Sequence, residues 1–111
     1  MVNTWNIIMH AYATHGKGRE AVDTFHNMIH ANIKPDAITF VALLLACSHS
    51  RLIEECKKFY NTMETVYGVK PNIQHQSCVL DCLARAGQLE EAEKFMSDAI
   101  VSPGILLSMF V

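Results

Sequence analysis

The chain repeats itself. Slid forward by 35 residues, the stretch Val2 to Asp36 carries Trp5, Asn6, Ile8, Ala11, Ala21, Phe25 and Met28 onto Phe40, Val41, Leu43, Ala46, Cys56, Tyr60 and Met63. A further slide of 36 carries Phe40, Leu43, Ala46, Cys56 and Tyr60 onto Gln76, Val79, Cys82, Ala92 and Met96. One residue is inserted near Tyr67-Gly68, so Lys34-Pro35 is matched by Lys70-Pro71. Apolar or small residues meet in most of these columns. A period near 35 residues marks stacked supersecondary units rather than one globular core. At 111 residues there is room for about three units, near the minimum for a stable array.

Each unit reads as two helices. In the first, Thr4 or Asn3 is placed to cap a helix carrying Ile8, Ala11 and Tyr12 at i, i+3, i+4 spacing, and His15-Gly16 ends it. Glu20 opens a second helix with Ala21, Phe25, Met28 and Ile29 on one face, stopped by Lys34-Pro35. The second unit places Leu43, Ala46 and Cys47 on its first helix, and Leu52, Cys56, Phe59, Tyr60 and Met63 on its second. The third uses Val79, Cys82 and Leu83, breaks at Gly87, and resumes with Leu89, Ala92, Phe95 and Met96. The columns Ala11/Ala46/Cys82 and Ala21/Cys56/Ala92 hold only small side chains, which lets neighbouring helices approach closely.

Half the residues are apolar and 18% are charged, which excludes a disordered chain. No apolar run reaches the ~18 residues of a membrane helix, and no membrane partner is expected. A net charge of −2 gives no general attraction for nucleic acid. The four cysteines, Cys47, Cys56, Cys78 and Cys82, have no signal peptide before them and read as reduced, buried small residues. Cys78 and Cys82, with His75 nearby, invite a metal reading. Structural zinc needs four ligands and prefers close pairs joined by a turn, and no second pair exists. No metal or cofactor is expected. Cytidine deamination through zinc needs His-x-Glu and Pro-Cys-x-x-Cys, and the sequence has neither. Glu54-Glu55 and Glu90-Glu91 suit helix starts better than an acid/base pair. No catalytic constellation is present.

Two polar residues stand out. Asn6 sits among apolar neighbours near the start of the first helix, and Asp36 closes the same unit. Stacked units bring successive helix starts together, so the two residues should lie side by side on a concave face. Their alternative role is helix capping, common for both residue types.

The pattern T-W-N-x-x-x-x-A-Y-A-x-x-G-x-x-x-E-A-x-x-x-F-x-x-M-x-x-x-x-I-K-P-D in the first unit resembles the consensus of the pentatricopeptide repeat family, over Val2 to Gly104. Units spanning 2–36, 37–72 and 73–104, of 35, 36 and 32 residues, resemble the last long and short triplet of the plant PLS subclass. Ala46-Cys47-Ser48-His49, Tyr67-Gly68-Val69-Lys70-Pro71 and Ala84-Arg85-Ala86-Gly87 strengthen the likeness. The resemblance implies an all-α, right-handed α-solenoid of about three helix-turn-helix repeats, followed by 105–111 as the start of a shortened C-terminal extension. It implies a part of a larger mitochondrial or chloroplast protein that recognises single-stranded RNA, with editing-complex proteins as further partners.

In that family the fifth and last residues of a repeat read one base, and the second packs against bases. By position this assigns Asn6 and Asp36 with Asn3 to the first unit, Val41 and Asn72 with Ile38 to the second, and Ser77 and Gly104 with Gln74 to the third. Val41 has no polar group and Gly104 no side chain, so only the first unit carries a full reading pair. Gln76 in the column of Trp5 and Phe40 should loosen the third unit. A protein-binding repeat module and a truncated, non-functional product are the alternatives. The apolar tail, with Ile105, Leu106, Leu107 and Phe110, is expected to drive self-association or to fold back on the third unit.

Overall fold

The computed structural model describes residues 1–99. Six helices follow one another: α1 (Val2–Thr14), α2 (Gly18–His30), α3 (Ala37–His49), α4 (Ile53–Thr65), α5 (Ile73–Arg85) and α6 (Leu89–Ala99). No strand occurs among the described residues. Successive hairpins stack into an all-helical solenoid. Helices α1, α3 and α5 pack side by side as one layer, while α2 and α4 each pack on their own partner and on the first helix of the next hairpin. Gly104 and the tail lie outside the described residues.

The same stop ends the first helix of every hairpin. Lys17 N–H donates to Tyr12 O at 2.9 Å, Leu52 to Cys47 O at 2.9 Å and Gln88 to Leu83 O at 2.9 Å. Each bond reaches back five residues over a left-handed residue. That residue is Gly16 (φ 68°) and Gly87 (φ 75°) in two cases and Arg51 (φ 55°) in the third. A residue with a Cβ pays roughly 1–2 kcal/mol for this conformation. Part of the gain from glycine is returned through its freer unfolded chain. Arg51→Gly is therefore expected to raise stability by roughly 0.5–1 kcal/mol, read as a higher urea midpoint at unchanged slope.

The core centres on Phe25 of α2. Its ring lies 5.5 Å from Phe40, 5.3 Å from Phe59 and 5.6 Å from Tyr67, so one side chain joins both layers of two hairpins. Met9, Met28, Leu43, Leu44, Cys47 and Met63 fill in around it, all fully buried. At the next interface Tyr60 takes the place of Phe25, Phe95 that of Phe59, and Gln76 that of Phe40. Tyr60 and Phe95 still meet at 5.1 Å, and Gln76 is buried. A groove of about 360 Å³ lies there, walled by Tyr60, Val79, Leu83 and Phe95.

The phrase Ala46-Cys47-Ser48-His49-Ser50 proves to be a splice between hairpins. Ala46 packs with Ala13 and Ala21, and Cys47 enters the core. Ser48 Oγ donates to Asp81 Oδ2 at 2.8 Å, and His49 Nδ1 reaches Ala13 O at 3.0 Å. Ser50 Oγ accepts the Gly18 N–H at 2.8 Å. Gly18 comes so close that an added Cβ would collide with the Ser50 side chain. On the outer layer, Arg19–Glu55 and Lys57–Glu91 ion pairs link successive hairpins. Both are partly exposed and contribute little.

Three sequence expectations need correction. Helix α1 starts at Val2 behind Met1 with no side-chain cap, so Asn3 and Thr4 lie inside it and are exposed. Helix α2 begins at Gly18, and Glu20 falls within its first turn. The buried residues of α1 are Asn6, Met9 and Ala13, whereas Ile8 and Ala11 are exposed. Their equivalents Leu43 and Ala46 are fully buried because α1 covers that side of α3. No described helix covers it on α1.

Candidate nucleic-acid interface

Register places the candidate residues first. Helices α1, α3 and α5 begin at residues 2, 37 and 73. Asn3, Ile38 and Gln74 are thus each the second helical residue, and Asn6, Val41 and Ser77 each the fifth. A separation of three keeps each pair on one helix face. Asn3, Ile38 and Gln74 are exposed, Val41 and Ser77 half-buried, and Asn6 is only 5% exposed.

Asp36 is the N-cap of α3, its backbone extended at φ −122°. Its carboxylate Oδ1 accepts the Thr39 N–H at 3.0 Å, and its own N–H donates to Thr39 Oγ1 at 3.0 Å. This is a capping box. The box extends across the repeat boundary. Asn6 Nδ2 donates to Asp36 Oδ1 at 3.1 Å, and Thr39 Oγ1 donates to Asn6 Oδ1 at 2.6 Å. The two proposed roles of the pair therefore divide between its members: Asp36 caps, and Asn6, in the second turn of α1, does not. Burial on its own would raise the Asp36 pKa. Hydrogen bonds from the Thr39 N–H, the Asn6 amide and the Ile38 N–H, with the Thr39 hydroxyl dipole close by, outweigh it and hold the carboxyl below its ordinary value.

The next boundary has the same frame and different chemistry. Asn72 caps α5, accepting from Gln74 N–H at 2.9 Å and His75 N–H at 3.3 Å. His75 stands where Thr39 stands in the previous hairpin. Its Nδ1 accepts the Asn72 N–H at 3.0 Å, so Nε2 carries the hydrogen and donates to Ala37 O at 2.9 Å. Val41 offers no polar atom, so nothing ties Asn72 to the fifth residue of α3. Desolvation lowers the His75 pKa, with the bond to Ala37 O acting in the opposite sense. Sequence reasoning missed Thr39 and His75, although Asp36-x-x-Thr39 and Asn72-x-x-His75 show the cap spacing.

The cysteines are free, and Cys47, Cys56 and Cys82 are buried. Burial pushes Cys47 up to about 12 and Cys78 up to about 11, and raises Cys56 and Cys82 as well. Neutral thiols of this kind are packing residues rather than nucleophiles. Among the described residues no three His, Cys, Asp or Glu side chains come together as a metal site.

The profile of the PPR repeat family matches residues 2–49, and that of the PPR repeat matches 38–65 and 77–101. Over 106 residues, 96% of this chain, the sequence is 42% identical to 17% of the pentatricopeptide repeat-containing protein At5g66520 of Arabidopsis thaliana. It is 44% identical over 96% of its length to 14% of At3g53360, mitochondrial, from the same plant. With CRR2, chloroplastic, also from Arabidopsis thaliana, it shares 41% identity over 93% of its length and 16% of that protein. The chain thus spans less than a fifth of these relatives. Proteins of this kind are in general RNA-binding repeat scaffolds and not enzymes. With six helices in three stacked hairpins and the repeat profiles falling along all three, the chain belongs to the pentatricopeptide repeat family.

Proposed function

We propose that this chain forms part of an organellar factor that binds single-stranded RNA in a sequence-dependent way during editing or processing. Its units are read as the PLS type. Helical repeats of this family are themselves the standard instance of one base read per unit by two or three side chains. The observation that carries the reading is the bond between Asn6 and Asp36, 3.1 Å across a repeat boundary. A helix cap needs no partner from the preceding hairpin, and here a nearly buried amide is held against it.

On this reading the first unit prefers a pyrimidine, uridine above cytidine, through Asn6 and Asp36, with its exposed Asn3 packing against bases as Ile38 does in the second unit. Val41, Asn72, Ser77 and Gln74 supply fewer polar groups, and their units read weakly. Several relatives carry mitochondrial or chloroplastic in their names, which supports one of those organelles as the place of action.

The test uses the parent array, with the base opposite this unit varied among U, C, A and G. Asn6→Ala is expected to cost about 1–3 kcal/mol on the preferred RNA, as single base contacts do. Asn6→Ser combined with Asp36→Asn should move preference from U towards A. Equal affinity for all four bases in the unaltered array would leave the pair only its capping role.

A further inference from the structure

The cross-boundary network contains a residue with no assigned part in recognition. A carboxylate only accepts hydrogen bonds, so the Asn6 atom beside Asp36 Oδ1 is the amide nitrogen. The other amide atom, 2.6 Å from Thr39 Oγ1, is then the oxygen. Thr39 is fully buried. Its hydroxyl has one hydrogen and takes the Asp36 N–H as acceptor. Two oxygens stand within reach of that hydrogen, Asn6 Oδ1 at 2.6 Å and Asp36 Oδ1 at 3.0 Å, and the shorter contact takes it.

We propose that Thr39 is the positioning residue of the first unit: by holding Asn6 Oδ1, it makes Asn6 offer a base an N–H donor and not a carbonyl acceptor. This rests on the RNA reading given above. Asn6 has one amide hydrogen on Asp36 and a second left for a ligand. The bonds from Asn6 and Thr39 converge on Asp36 Oδ1, and the carboxylate, which has room for about four bonds, keeps acceptor capacity even with the Ile38 N–H beside it. The pair thus presents a donor beside an acceptor, the complement of a carbonyl beside a ring N–H, as on uracil. The second boundary supplies the internal contrast. There the fifth residue is Val41, the Thr39 position is His75, and the ring turns to the Ala37 backbone instead.

The decisive comparison is the unaltered parent array against Thr39→Val and Thr39→Ser, each with U, C, A and G opposite this unit. Thr39→Val keeps shape and loses the hydroxyl. It is expected to shrink the ratio of uridine to adenosine affinity about tenfold, the weight of one good base contact, while Thr39→Ser keeps it. A lost cap alone would weaken all four RNAs alike, leaving their ratio unmoved. Full preference retained in a folded Thr39→Val array overturns the positioning role and spares the RNA reading. If the unaltered array shows no preference, the RNA reading fails, and the isotope-labelled 111-residue chain still decides on Thr39. Its hydroxyl proton should exchange slowly with water, and Thr39→Val should shift the Asn6 side-chain amide signals. A fast-exchanging hydroxyl in the unaltered chain, which needs no variant to fold, overturns the proposal.

Discussion

Phe25→Ala is expected to lower the stability of the chain by about 3–5 kcal/mol, the cost of emptying a fully packed aromatic site. The ring has no exposed surface and touches Phe40, Phe59 and Tyr67, which come from α3, α4 and the turn after α4. Its loss removes the contact between hairpins and not merely one within a hairpin. In a repeat array stability is close to a sum of unit and nearest-neighbour terms, so the first hairpin should separate at lower urea than the rest. Tyr60→Ala, in the same register, should cost clearly less, because Tyr60 is half-buried and borders the groove beside Phe95. Equal losses for the two variants, measured by urea unfolding with circular dichroism, would show that the aromatic cluster is not the hub.

The second large effect belongs to His75. The ring is fully buried, and both nitrogens are engaged in a way that only the neutral form permits, since Nδ1 accepts from the Asn72 N–H. Its pKa is lowered by desolvation. In the unfolded chain a histidine takes its proton near pH 6.5. The stability that His75 contributes is therefore complete above that pH. It falls away as the pH drops through the folded-state value, because protonation favours the unfolded chain. His75→Thr, which imports the chemistry of Thr39, should flatten the stability curve between pH 7 and pH 5. His75→Leu should cost about 0.5–1.5 kcal/mol at pH 7 for each of the two part-buried hydrogen bonds lost, to the Asn72 N–H and the Ala37 carbonyl. The same acid dependence in the unaltered chain and in His75→Thr would assign the effect to other groups.

The repeat columns made the helix phases legible, because a slide by 35 and then 36 residues reproduces the observed helix starts. They also brought Asn6 to Asp36, since stacked hairpins bring successive helix starts together. Burial on α1 was not legible from the same columns. Whether Ile8 is covered depends on what lies beside the helix, and a periodic pattern is blind to that. Thr39 and His75 were hidden for a different reason. Neither belongs to an apolar column or to a reading position, and His75 drew notice only as a possible metal ligand. Their roles rest on cap spacing, a three-residue signal easily passed over beside a 35-residue one. Gln76, expected from its column to loosen the third unit, is itself buried, and the groove beside Tyr60 is walled by other side chains.

Residues 36 and 72 each open the next helix from an extended backbone, at φ −122° and −121°. Such a position admits a narrow vocabulary. The side chain must be short and must carry an acceptor that can turn back to N–H groups two or three residues on, which favours Asp, Asn, Ser and Thr. Folding therefore screens any change there before a ligand can. If the last residue of a unit also meets a base, its variety is bounded by what starts a helix and not by what nucleobases could use. Residue 6 carries no such duty to its own helix. It is free to vary as far as Asp36 and Thr39 can still find partners in what replaces it, so retargeting the first unit is a substitution of three residues together rather than two.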